Sequence, residues 1–157
     1  MDTLFATPEF TLFLQLCVAI LLGMVLGIER VLSGRTAGPR TYGLVAMGAC
    51  LITILAQTIV TMNPGWSGGD PFHLLSSIIT GVGFIGAGLI IFKDSKLSGL
   101  TTAAGIWVSA AIGITVGVKM YLLAFFATFL TLFVFTIMWR VEHIIKARFH
   151  IEEEISE

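Results

Sequence analysis

Charge is what this sequence has least of. Only 12 % of its 157 residues are Asp, Glu, Lys or Arg, about half the ~25 % of an ordinary soluble domain. A chain so poor in charge and 56 % hydrophobic cannot cover a water-facing surface. That excludes a soluble globule and makes the lipid bilayer the first partner. Cysteine is scarce as well: Cys17 and Cys50 both fall in apolar stretches, without metal-ligand spacing, and read as small core residues rather than a disulfide. The histidines are too few and too scattered for a metal set; His143 and His150 stand among acids and read as a solvated face. There is no Ser-His-Asp grouping and no phosphate loop outside an apolar run. Hydrolysis, redox chemistry and phosphoryl transfer therefore have no carriers, and the chain reads as non-enzymatic, with no cofactor and no metal. A net charge of -1 leaves no footprint for nucleic acid.

What is present is a series of long uncharged segments. Spans at about 10–28, 41–62, 72–92, 97–118 and 120–139 are each long enough, at about 1.5 Å per residue, to cross roughly 30 Å of hydrocarbon. The fold class is therefore all-α: a polytopic membrane protein with five transmembrane helices in residues 1–140, followed by a short amphipathic tail over 141–157. Asp2 and Glu9 stand where a cleaved signal would be basic, so the first segment is read as a retained helix. The turn formers from Asn63 to Pro71 make a loop, with Trp66 suited to the membrane interface. With five crossings, Arg30, Arg35, Arg40, Lys93, Lys96, Arg140, Lys146 and Arg148 gather on one side and Lys119 on the other. The positive-inside rule then places the N-terminus outside and the C-terminus in the cytoplasm.

Small residues recur at helical spacing. Gln15, Ala19, Gly23 and Gly27 form one stripe, on which Arg30 also falls; Thr101, Gly105, Ser109, Gly113 and Gly117 form another. Such stripes let helix backbones approach closely in lipid. The third span carries Gly81-Val82-Gly83-Phe84-Ile85-Gly86-Ala87-Gly88, which contains G-x-G-x-x-G. It lies inside an apolar run with no strand-turn-helix boundary, so dinucleotide binding is set aside. Ser76, Thr80, Gly83 and Ala87 fall on one face and Ser77, Gly81 and Gly88 on a second, which predicts a central helix with neighbours on two sides. The last span, free of glycine and rich in phenylalanine (Phe125, Phe126, Phe129, Phe133, Phe135), is placed at the edge facing lipid.

The charges that remain concentrate from Gly27-Ile28-Glu29-Arg30 through Gly38-Pro39-Arg40-Thr41. Glu29 is expected to pair with Arg40 or Arg30 and so pin the first span to the second. Thr101 and Thr102 open the fourth helix and are expected to cap it beside this cluster.

Three blocks together resemble the membrane domain of the MgtC/SapB family of bacterial proteins: Gly27 to Arg30 with Ala37 to Thr41, Gly81 to Gly88, and Gly99-Leu100-Thr101-Thr102-Ala103-Ala104 with Trp107, Ala110, Ala111 and Gly113. The resemblance covers roughly Gln15 to Val118 and marks Glu29, Arg30, Arg40, Gly81, Gly83, Gly86, Gly88, Thr101, Thr102 and Trp107 as the candidate functional or structural residues. It implies a multi-pass protein of the bacterial inner membrane, linked to growth in scarce magnesium and to survival inside host cells (virulence), and a membrane partner such as the rotary ATP synthase. Two departures stand out. Where many relatives read Arg-Thr-His, this sequence reads Arg40-Thr41-Tyr42, and it ends at Glu157, ahead of the soluble C-terminal domain that many relatives carry.

The expected function is thus regulatory, exerted through helix contacts with another membrane complex or within a homo-oligomer. The alternative is a small ion or solute transporter, with unwinding at Gly81 to Gly88 offering carbonyls to a cation. Against it, the sequence places no ionisable residue near mid-membrane.

Overall fold

The computed structural model describes residues 8–63, 71–93 and 96–149. Trp66, Asp94 and the tail from His150 onward lie outside the described residues, as does the side chain of His143, so the interface role of Trp66 and the end of the amphipathic tail are not addressed further. Helices α1 (Pro8–Leu32), α2 (Pro39–Met62), α3 (Pro71–Leu89) and α4 (Leu100–Gly117) are followed by α5 (Tyr121–Phe133), which runs through a five-residue π-helical stretch, Val134–Met138, into α6 (Trp139–Phe149). By length and composition four of these can cross a membrane: α1, α2, α4 and the continuous helix from Tyr121 to Val141; α3 is a shorter apolar helix.

Turn chemistry sets the ends. Past the end of α1, Gly34 takes a left-handed backbone at φ 74°, and α2 restarts with Gly38 at its N-cap and Pro39 in its first turn, the position where a missing N–H costs nothing. The third and fourth segments are shorter than hydropathy suggests. After Leu89 the chain leaves the helix and makes a small antiparallel hairpin, β1 (Ile91–Lys93) with β2 (Lys96–Ser98), pairing Phe92 with Leu97. Helix α4 starts only at Leu100. Hydropathy cannot see this break, because Ile90, Ile91 and Phe92 are as apolar as the helix before them. Gly99 makes the turn possible: its φ is 86°, and a Cβ there would run into the Leu89 carbonyl.

Helix α4 is the centre, packed against α1, α2, α3 and α5. This corrects the expectation that the third span is central. The reason lies in which small residues are used. On α4, Gly113 faces the backbone of Ala46 and Gly117 faces Thr53. On α1 an added Cβ at Gly23 would lie 2.6 Å from the Tyr42 carbonyl oxygen, and at Gly27 it would meet the backbone of Pro39. The predicted α1 stripe is buried throughout: Gln15, Ala19, Gly23, Gly27 and Arg30. On α3, by contrast, nothing lies within 4 Å of a Cβ added at Gly81, Gly83 or Gly88, and Ser76, Ser77, Thr80 and Ala87 are exposed. Of the glycines in that block only Gly86 packs, with Ala103 at an ordinary 3.7 Å, beside the buried Val82.

Polar groups inside the bundle bond to backbone carbonyls. Gln15 Nε2 donates to Val116 and Gly117 at 2.9 Å, Ser109 Oγ donates to Tyr42 at 2.9 Å, and Thr53 and Thr128 donate one turn back within their own helices. Cys50 is buried as expected, whereas Cys17 is exposed; both are free.

Candidate functional site

The densest polar arrangement forms where the C-terminal end of α1, the N-terminal ends of α2 and α4, and the π-helical stretch converge. It is built on Arg30, whose side chain is only 3 % exposed. A lone guanidinium there would be prohibitive to bury, and its neighbours show how it is tolerated. Arg30 Nε donates to Glu29 Oε2 at 2.6 Å, and Ser33 Oγ donates to the other carboxylate oxygen at 2.6 Å. On its open face the guanidinium carbon lies 3.7 Å from the centroid of the Phe135 ring, within cation–π range.

The expected Glu29 ion pair is therefore present, with Arg30 as partner rather than Arg40. Arg40 is exposed at the start of α2 and stands outside the pair. Because Glu29 and Arg30 share a helix, the pair by itself does not pin α1 to α2. The Phe135 ring does the bridging, between α1 and the last helix.

Tyr42 completes the arrangement. It is fully buried on α2, its hydroxyl donates to the Thr102 carbonyl at 3.2 Å, and its own carbonyl accepts from Ser109. Gly105 makes room for both rings: a Cβ there would meet the Tyr42 hydroxyl and lie 2.6 Å from the tip of Phe135. Three helices thus share one crossing point in which no side chain fits at position 105.

Of the other candidates, Thr102 is buried beside this point but contributes its carbonyl. The cap expected from Thr101 and Thr102 is absent, since the N-cap of α4 is Gly99 and no side chain caps it. Trp107 is 46 % exposed on the outer face of α4. Gly81, Gly83 and Gly88 take no part in the charged cluster: no other described residue lies within 4 Å of a Cβ added at any of them.

Two members of the cluster were not anticipated. In the sequence Tyr42 stands out only as a departure at a histidine position, and its partners lie 60 and 67 residues away, beyond any local pattern. Composition alone groups Phe135 with the lipid-facing phenylalanines. That reading holds for Phe125, Phe126, Phe129 and Phe133, each at least 43 % exposed, but Phe135 is 5 % exposed. A signal existed: at 100° per residue, Phe135 lies on the same side as Ala124 and Thr128, the buried residues of α5. Among the described residues there is no group of His, Cys, Asp and Glu able to hold a metal.

Residues 16–144 match the MgtC family. Among curated relatives, the chain is 39 % identical over 130 residues to YhiD of Escherichia coli (strain K12), a protein named as a candidate magnesium transporter; the match covers 82 % of this chain and 60 % of the relative. It is 40 % identical to SapB of Bacillus subtilis (strain 168), over 73 % of this chain and 50 % of SapB, and 37 % identical to MgtC of Salmonella typhimurium (strain 14028s / SGSC 2262), over 78 % of this chain and 50 % of MgtC. This chain thus matches only 50 to 60 % of the length of these relatives. No solved structure matches. The chain belongs to the MgtC family.

Proposed function

We propose that this member of the MgtC family is a non-enzymatic, regulatory protein of the bacterial inner membrane, acting through helix contacts with another membrane complex. The observation that carries this reading is the pair of open faces on α3, one with Gly83 and one with Gly81 and Gly88. Glycine weakens a helix by about 0.5–1 kcal/mol relative to alanine, and in lipid it is placed where backbones must approach. Gly23, Gly27, Gly105, Gly113 and Gly117 each face a neighbour inside the bundle, while a Cβ added at Gly81, Gly83 or Gly88 would have no other described residue within 4 Å. Their neighbour is a helix of another chain. The rotary ATP synthase is the partner suggested by family resemblance, and a second copy of this chain is the simplest competitor.

Five crossings fit this role. Helix α3 has 19 residues, about 28 Å of rise, which nearly spans the ~30 Å hydrocarbon core. Counting it as a span gathers all cations but Lys119 on one side, giving an outside N-terminus and a cytoplasmic C-terminus. A link to magnesium scarcity rests on the family and on the name of YhiD.

The second reading, an ion or solute transporter, is supported by that same name. It is less favoured because the buried donors Gln15 Nε2, Thr53, Ser109 and Thr128 are taken up by backbone carbonyls, leaving Gln15 Oε1 as the one buried side-chain acceptor without a partner among the described residues. Crosslinking from Gly83→Cys in native membranes, repeated with Ala87→Leu on the same face of α3, tests the main reading: a specific adduct that the bulky residue abolishes is expected. Magnesium flux into vesicles carrying the purified protein, with no adduct in membranes, would reverse the ranking.

A further inference from the structure

A second polar feature lies at the same end of the bundle and is not part of the Arg30 cluster. Between the α1–α2 loop, the β1–β2 hairpin and the first turn of α4 there is a cavity of about 180 Å³. Since one water needs roughly 10–15 Å³ of such space, it admits a group larger than several waters. Its lining includes the guanidinium-bearing Arg35, the hydroxyl residues Thr36, Ser98, Thr101 and Thr102, and Gly99. No acid lines it among the described residues.

We infer that this cavity binds a phosphate group. Four observations converge on an anion. The first-turn N–H groups of α4 have no carbonyl of their own helix to bond, no side chain caps them, and the positive end of the 18-residue helix opens on the cavity. Thr102, 3 % exposed, lines the cavity; its carbonyl is occupied by Tyr42, and its hydroxyl makes no hydrogen bond among the described residues. On a residue that lines the cavity, a hydroxyl in that state is open to an occupant. Arg35 lines the cavity with a planar guanidinium, the side chain whose donor geometry suits phosphate oxygens. Finally, among the side chains described at this end, Arg30, Arg35 and Arg40 stand against Glu29, and Glu29 is already held by Arg30 and Ser33.

The phosphate could arrive on a lipid headgroup, since the cavity sits at the end of apolar helices, or free from the aqueous side; the recognising chemistry is the same. This inference is independent of the proposed partner contact on α3. The test uses the purified full chain. In detergent, inorganic phosphate is titrated against potassium chloride at matched ionic strength and the melting temperature is followed. In parallel, the chain is melted in phosphatidylcholine nanodiscs with and without phosphatidylglycerol.

A saturable rise with inorganic phosphate supports a free phosphate ligand, and a rise only with phosphatidylglycerol supports a headgroup. In either case Arg35→Gln weakens the apparent affinity roughly tenfold or more. Thr101→Val, a smaller change on the same wall, weakens it less and serves if Arg35→Gln does not fold. No rise in either arm overturns the inference. So does a rise that both variants leave unchanged.

Discussion

Two sets of glycines in this one chain behave oppositely. Those of α1 and α4 are spent on contacts inside the bundle, where Gly27 meets Pro39, Gly113 meets Ala46 and Gly105 admits both Tyr42 and Phe135. Those of α3 at positions 81, 83 and 88 have no other described residue within 4 Å of an added Cβ. The same residue type therefore does two jobs: the first set holds the protein together, and the second leaves helix faces open for something else. If the comparison is sound, substitutions in the two sets must separate stability from partner contact.

The largest effect is expected at Gly113. Even a methyl group there would press into the Ala46 backbone, which cannot move as a flexible side chain can. Gly113→Ala should cost at least the ~1–3 kcal/mol of ordinary overpacking, and Gly113→Leu should leave no folded protein in detergent. A Gly113→Ala variant that melts like the parent would show that α4 is not the tight centre described above.

Next comes Glu29. Replacing it with Gln leaves Arg30, at 3 % exposure, without a countercharge. A cost approaching 3–5 kcal/mol is expected for a buried pair broken from one side, lessened by the Phe135 ring and by the 14 % exposure of Glu29. The exposed Arg40 makes the control: Arg40→Gln should stay within about 0.5 kcal/mol. Equal melting temperatures for Glu29→Gln and Arg40→Gln would reduce the cluster to a surface ornament.

This contrast also shows what could be read from residues alone. The apolar runs of α1, α2, α4 and the last helix are legible because hydrocarbon tolerates no charge, and the α1 and α4 stripes are legible because both fall on buried faces. Glu29 and Arg30 could be singled out as a pair, being adjacent in sequence. The centrality assigned to α3 failed because a helical wheel reports that a face is small, never that it is occupied. The roles of Tyr42 and Phe135 depend on partners far along the chain, and the hairpin after Leu89 on the backbone of a single glycine, so neither leaves a trace in local hydropathy.

A smaller effect is expected at Tyr42. Its hydroxyl donates to Thr102 at 3.2 Å, a long bond to a carbonyl that also has its own helical donor to accept from. Tyr42→Phe should lower stability by about 0.5–1.5 kcal/mol without changing the ring packing around Gly105. A double cycle of Tyr42→Phe with Phe135→Leu is expected to be non-additive, because both rings meet at Gly105. Strict additivity would mean that the three-helix crossing does not act as a unit.

The smallest effect on stability, and the most informative, is expected on α3. Gly83→Ala fills open space and removes a helix-weakening residue, so the purified chain should melt slightly higher, by about 0.5–1 kcal/mol. In native membranes the same change, and more so Gly83→Leu, should reduce crosslinking to the partner helix. Opposite signs in these two assays are the signature of a residue kept for contact at the expense of stability. If Gly83→Leu leaves both melting and crosslinking untouched, the open face of α3 is covered by lipid alone, and the division between the two glycine sets has no functional content.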